Sequence, residues 1–396
     1  MQKRLLFYKI QKYFESKEAI VITGMRQVGK TTLLKQIYDE LGEVNKFWFD
    51  FDNPFDQKMF EDIDYSLIYK RLNKNSTKKR LYVFIDEIQN FPEITKVIKY
   101  LIDHYSVKFF VTGSSNYYMK NLFPESLSGR KFIFDLTPLN FQEYLYFKDQ
   151  KSLEEIKKND KLTIDDLILQ SNIFEHKKYE VYFESFMEFG GFPEVVVTDD
   201  IETKKLILKN IFKSFFEKDI KILSDFSDIK ELRDLLLLLV PRVGSMLDIT
   251  KIASELGIDR SKTYKYLELL QSVFIIRLIP KYSKSIDRSV AGGKKVYFSG
   301  TGLLNVIGNV NDGQLFENVM INELSDLGVI SYYNLRNTVE IDAILDKKYA
   351  FEIKLRGSER DYSKLTKITN KLGIKNLYVI SKFFVKNKNI ITPIVF

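Results

Sequence analysis

The chain of 396 residues contains no cysteine and only two histidines, His104 and His176. The absence of cysteine excludes disulfide bonds and thiolate metal sites, and two distant histidines lack the ligand spacing of a zinc site. Long apolar runs are also missing, since stretches such as 235–240 are far too short to span a bilayer. Because charges run through the N-terminal residues, no signal-peptide core is present there. We therefore expect a cytoplasmic protein with no membrane partner.

The composition is that of a globular protein with several domains. Hydrophobic residues make up 45% and charged residues 29% of the chain. A length of 396 residues exceeds what one hydrophobic core usually supports, so we expect two to four domains. The formal charge of +8 favours polyanionic partners such as nucleic acid, although charge alone is weak evidence at this length.

Three patterns of secondary structure succeed one another along the chain. In the first third, short apolar strands alternate with amphipathic helical segments, which indicates a parallel α/β sheet. Residues 138–240 are mainly helical in pattern, and residues 245–285 have the order helix, turn, helix, strand. From about residue 290 onward strands dominate again, with helices predicted over 313–327 and 361–372. This last part has the size and pattern of a mixed α/β domain.

A phosphate-binding loop follows the first apolar strand. The residues from Gly24 to Thr31, GMRQVGKT, fit the pattern G-x-x-x-x-G-K-[ST] and lead directly into a helical segment. Such a loop curls its backbone N–H groups around phosphates, and the helix N-terminus adds a positive dipole. Lys30 would reach the β- and γ-phosphates and Thr31 would bind Mg²⁺. We predict that Gly24, Gly29, Lys30, Thr31 and Thr32 bind ATP with Mg²⁺.

Two carboxylates end the buried strand at 81–87, LYVFIDE. Asp86 would contribute to the nucleotide site as a Mg²⁺ ligand, and Glu87 would polarise the attacking water. An acidic pair at a strand end is often only a helix cap or a solvated turn, but the phosphate-binding loop favours the catalytic interpretation. A further apolar strand ends in the sequence TGSS at 112–115, where a polar residue could contact the γ-phosphate or merely form a turn.

The order of GMRQVGKTT, FIDEIQNFPEI, FFVTGSS, SLSGR and GGFPEV resembles the AAA+ superfamily. The resemblance is greatest to a group of prokaryotic AAA+ ATPases with an additional C-terminal domain, and it covers nearly the whole chain. It implies that Ser115 is the sensor residue beside the γ-phosphate and that Arg130 is an arginine finger for a neighbouring subunit. A finger acting in trans implies a homo-oligomer, such as a ring. An action of Arg130 within its own subunit, or a purely structural role, remains open.

The segment 248–280 has the spacing of a helix-turn-helix followed by a strand, as in a winged helix. Asp248 begins a short helix that ends at Gly257, and we expect Ser261 to cap the second helix. The predicted apolar stripe of this second helix consists of Tyr264, Leu267 and Leu270.

Basic residues on the second helix suit contact with DNA in a major groove. They are Arg260, Lys262 and Lys265. Winged helices in ATPases often only pack against the neighbouring lid, and a few lysines on a helix are usually just solvated. DNA binding by this element is therefore a hypothesis beside a purely structural role.

Charged residues recur on single faces of the C-terminal strands. Alternation along a strand puts Glu340 and Asp342 on one face, and Glu352 and Lys354 on one face of the next strand. Glu317 lies on the helix that precedes these strands. Two or three carboxylates with a lysine on one sheet face can bind Mg²⁺ and activate water against a phosphodiester.

This arrangement resembles the PD-(D/E)XK nuclease superfamily. The resemblance implies that Glu317 is the acid on the helix, that Asp342 and Glu352 bind the metal, and that Lys354 stabilises the water or the developing charge. The wet face of an amphipathic hairpin carries charges in any case, and an intact set can serve binding alone. Gly300 departs from the family pattern, since relatives tend to have Asp there.

Together these features predict an α/β protein with a P-loop AAA+ parallel sheet and a C-terminal mixed α/β domain of the restriction-endonuclease type. The expected division is a nucleotide-binding core at 1–137, a helical lid at 138–240, a winged helix at 241–289 and the nuclease-like domain at 290–396. The predicted function is a Mg²⁺-dependent ATPase that binds nucleic acid, preferably DNA, and cleaves it. Two alternatives are an ATP-driven regulatory switch that acts through protein partners with an inactive nuclease fold, and an ATPase that acts on RNA.

Overall fold

A computed structural model describes residues 2–74, 80–113, 129–220, 226–283, 285, 292–335 and 339–396. The chain forms two compact units. The first comprises Met1–Thr137 and Ser272–Phe274, and the second comprises Pro138–Gln271 and Ile275–Phe396. Among the described residues, no helix is long and apolar enough to cross a membrane.

A parallel sheet of five strands forms the centre of the first unit. Its strands are β1 (Ala19–Thr23), β2 (Asn45–Asp50), β3 (Leu81–Asp86), β4 (Lys108–Gly113) and β5 (Lys131–Asp135), in the order β2-β3-β4-β1-β5. The strands β1, β3 and β4 are buried along their whole length, as expected for a sheet covered on both faces. The predicted parallel α/β sheet is thereby confirmed. The edge strand β5 was missed because its sequence, KFIFD, is short, has a charged residue at each end and stays partly exposed.

Four of the five helices described in the first unit bury apolar side chains, and the short helix Pro54–Lys58 buries none. They are α1 (Leu5–Gln11), α2 (Lys30–Glu40), α3 (Pro54–Lys58), α4 (Tyr65–Leu72) and α5 (Ile94–Tyr105). The sequence analysis missed α1, which buries Leu5, Phe7 and Ile10. Burying a side chain such as Phe7 contributes roughly 2–3 kcal/mol. The longer α2 begins at the last residues of the phosphate-binding loop and holds that loop against the sheet through Leu33, Leu34 and Ile37.

The second unit begins with helices, as the pattern of residues 138–240 predicted. They are α6 (Phe141–Phe147), α7 (Leu153–Asn159), α8 (Ile164–Leu169), α9 (Ile173–Phe189), α10 (Pro193–Val197), α11 (Ile201–Ser214) and α12 (Phe226–Leu239). The break between α9 and α10 is the Gly-Gly-Phe-Pro segment. A Cβ on Gly191 would lie 2.0 Å from the carbonyl oxygen of Leu139. The Gly191 carbonyl also accepts the Leu139 N–H at 2.7 Å. Because this hydrogen bond holds the two backbones together, only glycine fits at position 191.

Two helices and two strands follow as α13 (Ile249–Leu256), α14 (Arg260–Ser272), β6 (Ile276–Pro280) and β7 (Lys294–Phe298). The strands β6 and β7 pair antiparallel, and Gly257 ends α13 in the left-handed conformation. The prediction that Ser261 caps the second helix was wrong. The helix begins at Arg260, before Ser261. Its capping residue is Asp259, whose side chain accepts the Lys262 N–H at 2.8 Å.

The predicted apolar stripe of α14 was wrong at one position. Tyr264 is 53% exposed, whereas Leu267 and Leu270 are buried as expected. The remaining buried positions of the helix are Thr263, Tyr266 and Leu269. The helical repeat of 3.6 residues aligns positions 263, 266, 267 and 270, which turns position 264 toward solvent.

The C-terminal part is a mixed sheet with helices on it. Its elements are α15 (Thr301–Ile307), α16 (Asp312–Leu327), β8 (Ile330–Leu335), β9 (Val339–Leu345), β10 (Tyr349–Lys354), α17 (Glu359–Leu372), β11 (Asn376–Ser381) and β12 (Ile390–Ile391). The sheet order is β12-β11-β10-β9-β8, with β8, β9 and β10 antiparallel and β10, β11 and β12 parallel. Asp346 and Lys347 both have positive φ, 49° and 60°, in the three-residue turn at 346–348 that joins β9 to β10. The hairpin pairs Phe351 with Ala343, so Asp342 and Glu352 follow next on the two strands.

Candidate functional sites

The phosphate-binding loop of the first unit has the backbone of an anion cradle. Gly24 has a φ of 148° and Gly29 a φ of 97°, which L side chains rarely adopt. A Cβ on Gly24 would lie 2.1 Å from the Leu136 carbonyl oxygen, so the close approach of two backbones also requires glycine there. Gln27 adds a further positive φ of 61° to the loop. The loop therefore owes its shape to positions that the sequence motif identifies.

Lys30 is folded into this loop. Its ammonium group donates hydrogen bonds to the carbonyl oxygens of Gly24 and Met25, both at 2.9 Å. The residue is only 5% exposed. A phosphate at the helix N-terminus would meet this positive charge together with the loop N–H groups. Thr32 follows in the first turn of α2 and is half-buried.

Asp86 connects two strands of the site through its two carboxylate oxygens. Thr31 donates its hydroxyl hydrogen to Asp86 Oδ2 at 2.7 Å, and Thr112 on β4 donates to Asp86 Oδ1. These contacts arise because β4 lies between β1 and β3, so that all three carboxyl ends meet at one edge. A hydroxyl and a carboxylate are the hard oxygen ligands that Mg²⁺ takes in addition to phosphate and water. The pair Thr31 and Asp86 therefore fits a Mg²⁺ ion.

Glu87 follows with a φ of 53°, a conformation that is uncommon for residues other than glycine. Its backbone N–H donates to the Thr112 hydroxyl oxygen at 3.2 Å, and its carboxylate accepts from the Gln89 side-chain amide. Backbone positions of this kind cost on the order of 1–3 kcal/mol and cluster at functional sites. Thr112 thus touches both acids of the strand end.

Thr112 and Arg4 were missed by the sequence analysis. Arg4 is buried, and its guanidinium donates to the carbonyl oxygens of Val28 at 3.2 Å and Thr137 at 3.0 Å. A hydroxyl inside the otherwise apolar strand KFFVTG was a signal for Thr112. An arginine among the charged N-terminal residues, directly before α1, offered no comparable signal.

Ser115 and Arg130 are the two residues whose roles were assigned through the AAA+ resemblance. Ser115 lies outside the described residues. Arg130 lies at the start of β5, and its carbonyl oxygen accepts the Ala19 N–H at 2.8 Å, while its Nε donates to Asp103 Oδ1 at 2.7 Å. This is the amino end of β1, five residues from the loop, or about 15 Å at the rise of a strand. Arg130 thus lies at the end of the sheet opposite the phosphate-binding loop.

In the second unit, three predicted residues meet across β9 and β10. Lys354 Nζ lies 2.8 Å from Glu352 Oε1 and 3.3 Å from Asp342 Oδ2. Asp342 Oδ2 also accepts the Ile353 N–H at 2.8 Å. The register of the hairpin thus brings Asp342, Glu352 and Lys354 together, as strand alternation predicted.

Glu317 reaches the same cluster from α16. Its Oε1 accepts the Tyr297 hydroxyl hydrogen at 2.6 Å and lies 3.5 Å from Lys295 Nζ. Lys295 also pairs with Glu340. The sequence analysis missed Lys295 and Tyr297, although the alternation in KKVYF places these two polar residues on one face of β7.

Burial and mutual repulsion shift the titration of the acids. Burial first, and then the charge of Asp342, raises the pKa of Glu317 to about 7 and that of Glu352 to about 7. Burial lowers the pKa of Lys354, but the charges of Asp342 and Glu352 outweigh this effect and raise it above its ordinary value. Acids that repel one another while lysines hold them form a site with surplus negative charge.

Two carboxylates of this cluster, those of Asp342 and Glu352, have the oxygen donors that Mg²⁺ prefers. Within the described ranges, no group of three or more Asp, Glu, His or Cys side chains could hold a metal ion. Mg²⁺, however, is often bound through one or two carboxylates and keeps several waters. Asp342 and Glu352 would suffice for such a site.

The basic residues of α14 do not form one surface. Lys262 Nζ lies 2.7 Å from Asp228 Oδ1 and 2.6 Å from Glu231 Oε2 on α12, and these contacts raise its pKa. The charge of Lys262 is therefore already paired within the protein. Arg260 and Lys265 are exposed.

Two family models match parts of the chain. Residues 16–145 match a model described as an AAA domain, and residues 181–314 match a domain of unknown function. An uncharacterized protein of Methanocaldococcus jannaschii is 27% identical over 372 residues, which is 90% of this chain and 80% of that protein. An uncharacterized protein of Haemophilus influenzae is 28% identical over 380 residues, 90% of this chain and 86% of that protein.

Among solved structures, a Walker-type ATPase of Pyrococcus abyssi is similar at 16% identity with a TM-score of 0.45. The similarity covers 76% of this chain and 94% of that one. The complete phosphate-binding loop, the Thr31–Asp86 contact and the matching family model agree with one another. Residues 16–145 are thus a P-loop ATPase domain of the AAA type.

Proposed function

We propose that the protein is a Mg²⁺-dependent ATPase that binds nucleic acid, preferably DNA, and cleaves it in its second unit. The observation that carries the proposal is the meeting of Asp342, Glu352 and Lys354 on two paired strands, in a chain that also has a complete nucleotide site. The division into core, helical lid, winged helix and nuclease-like domain remains part of this proposal.

In the first unit, ATP would bind with its phosphates in the loop at 24–31. Lys30 would exchange its loop carbonyls for phosphate oxygens, while Thr31 and Asp86 would hold Mg²⁺. Glu87 would orient and polarise the attacking water. Because Arg130 lies at the opposite end of the strands, it would serve as a finger only for a neighbouring copy, which implies a homo-oligomer such as a ring.

In the second unit, Asp342 and Glu352 would hold a Mg²⁺ ion, whose chemistry is to activate water and to stabilise charge on a phosphodiester. Lys354 lies within 3.3 Å of both acids and would stabilise the water or the developing negative charge. Glu317 would support the site from α16. A phosphodiester reaching this cluster would therefore find an ammonium group beside paired carboxylates.

Nucleic acid would be held in part by the exposed face of α14. Arg260 and Lys265 would contact phosphates, and Tyr264, at 53% exposure, is close enough in sequence to contribute an aromatic surface. Lys262 would contribute less than the sequence analysis expected, because Asp228 and Glu231 already hold its charge.

A regulatory switch is the second candidate. The observation in its favour is that Lys354 and Lys295 already pair with the carboxylates and that the described residues contain no group of three metal-ligand side chains. In that case the second unit would bind partners or nucleic acid without cutting. An action on RNA instead of DNA is a third candidate, since the charge of +8 does not distinguish the two polymers.

The decisive experiment is a cleavage assay with Mg²⁺ on single-stranded, duplex and branched DNA and on matched RNA, with and without ATP. The proposal expects cleavage of a DNA substrate that Asp342→Asn abolishes while ATP hydrolysis continues. Lys294→Met serves as a control for a change of surface charge near the site, since Lys294 is exposed. The absence of cleavage of every substrate would favour the switch, and cleavage of RNA alone would favour the third candidate.

A further inference from the structure

Lys295 is a buried lysine that the proposed chemistry does not use. Its side chain is 4% exposed, and it projects from β7 into the acidic cluster of the second unit. Its ammonium group pairs with Glu340 and lies 3.5 Å from Glu317 Oε1. Its ammonium also lies 5.4 Å from the centre of the Tyr332 ring. Lys295 is thus fixed in place on several sides.

The cluster has two halves, each with its own lysine. Lys295 lies between Glu317 and Glu340, and Lys354 lies between Asp342 and Glu352. Tyr297, two residues along β7 from Lys295, donates to the same Glu317 oxygen that faces Lys295. Lys295 and Tyr297, on one face of β7, therefore both contact the same Glu317 oxygen.

The charges of the two halves do not cancel. At pH 8, above the pKa of about 7 of Glu317 and Glu352, the four carboxylates carry four negative charges and the two lysines supply two positive ones. The surplus of two negative charges equals the charge of one divalent cation. Lys354 is 38% exposed and can turn toward solvent when an ion binds Asp342 and Glu352, whereas Lys295 is buried and would stay to repel a second divalent ion beside Glu317 and Glu340.

We infer that Lys295 is a built-in counter-cation for the Glu317–Glu340 half of the site, so that the site takes one divalent ion, on the Asp342–Glu352 half. The inference rests on the metal-binding part of the proposed function but not on cleavage. Lys295 is a positioning residue in this role, since it acts through the two glutamates that it contacts.

A series of variants with stepwise charge tests the inference. Lys295→Met raises the surplus to three negative charges, Glu340→Gln lowers it to one, and the double variant restores two. Mn²⁺ binding to the full chain would be measured by calorimetry at pH 8 without nucleotide, together with the thermal shift that Mn²⁺ causes. Asp342→Asn identifies ions bound elsewhere, and Lys294→Met is the matched control, since Lys294 is the exposed first residue of β7.

We expect Lys295→Met to bind Mn²⁺ most tightly and Glu340→Gln to bind it most weakly. Wild type and the double variant should lie between them with equal affinity. Each step should be about tenfold or more, because a unit charge acts at short range in a site of low effective dielectric constant. The wild type should bind one Mn²⁺ that Asp342→Asn loses, and Lys295→Met should gain the larger thermal shift. If Lys295→Met fails to fold without metal, Glu340→Gln still tests one step in affinity, and the double variant still tests the expected equality with wild type.

Equal Mn²⁺ binding by wild type, Glu340→Gln and the double variant would overturn the inference. It would also be overturned if Asp342→Asn bound two fewer Mn²⁺ ions than wild type. Wild type that binds no Mn²⁺ at Asp342 would overturn it as well. Wild type that binds one Mn²⁺ and shows the charge series but cleaves nothing would overturn only the proposed nuclease activity, and the role of Lys295 would stand.

Discussion

The Thr112 hydroxyl stands between the two acids of the nucleotide site, donating its hydrogen to Asp86 and accepting the backbone N–H of Glu87 at 3.2 Å. Thr112 is fully buried on β4, the strand that separates the loop strand from the acidic strand. One side chain therefore fixes the orientation of Asp86 and the backbone of Glu87 together.

We expect Thr112→Val to slow ATP hydrolysis by roughly 10- to 100-fold, because removing a hydrogen-bond donor that orients a metal ligand typically has an effect of this size. Valine keeps the shape and removes only the hydroxyl. ATP affinity should change less than the hydrolysis rate, since the loop itself is intact. Thr95→Val is the matched control, because the Thr95 hydroxyl donates only to the local Pro92 carbonyl. Equal rates for Thr112→Val and wild type would remove Thr112 from this role.

Lys30 and Glu87 should separate binding from hydrolysis. Lys30→Ala should abolish ATP binding, because it removes the ammonium from the centre of the loop. Glu87→Gln should keep ATP binding and stop hydrolysis, because an amide cannot polarise the water as a base. Equilibrium binding of a fluorescent ATP analogue and phosphate release measure the two effects. Hydrolysis at the wild-type rate in Glu87→Gln would show that another group activates the water.

Much of both candidate sites was predictable because their signals are local. The loop at 24–31 and the acidic strand end of the first unit are fixed by adjacent residues. In the second unit, strand alternation places Glu340 with Asp342, and Glu352 with Lys354, on single faces. The contacts of Arg4 with Val28 and of Lys295 with Glu317 join residues more than 20 positions apart. Such contacts depend on how elements pack, and the periodicity of one segment does not contain that information.

The errors on α14 have a similar origin. Tyr264 has an apolar ring and was assigned to the core, yet the helix faces its neighbours through Thr263 and Tyr266. The hydroxyl of Tyr266 contacts Asp228 and Glu231, so a polar group at the buried side was satisfied by acids from α12. A stripe drawn from hydrophobicity alone cannot detect such a partner.

Glu323 should make the stability of the second unit depend on pH. Burial raises its pKa from 4.5 to about 8, and its Oε2 accepts the Phe141 N–H at 2.9 Å. The folded state therefore binds more protons than the unfolded state between these values. The contribution of Glu323 is fully favourable below pH 4.5 and is lost as the pH rises through about 8.

Glu323→Gln keeps an acceptor for the Phe141 N–H and removes this titration. The free energy of unfolding of the variant relative to wild type should rise from pH 5.5 to pH 8.5, by on the order of 4 kcal/mol at most. Urea unfolding at the two pH values measures the difference. The exposed Glu154→Gln should show no such trend. A constant difference between Glu323→Gln and wild type would mean that Glu323 does not titrate in this range.

Arg130 should act only between subunits. Arg130→Ala should bind ATP normally and hydrolyse it more slowly by a factor of roughly 10³ or more. Mixing it with Lys30→Ala subunits should restore part of the activity, since an intact Arg130 then faces an intact loop. Asp103→Asn is the matched control, because it removes the ion-pair partner of Arg130 but leaves the guanidinium. Mixed oligomers without any recovery would leave Arg130 a structural role at the start of β5.

The exposed and the paired cations of α14 should differ in their effect on nucleic-acid binding. The double variant Arg260→Ala, Lys265→Ala should weaken binding to DNA and reduce the slope of log K against log salt by about two, one for each lost phosphate contact. Lys262→Met should leave that slope nearly unchanged, because Asp228 and Glu231 hold its ammonium at 2.7 and 2.6 Å. Fluorescence anisotropy with duplex DNA at several salt concentrations measures both slopes. A larger loss for Lys262→Met than for the double variant would mean that α12 moves away on binding and that the paired lysine is the true contact.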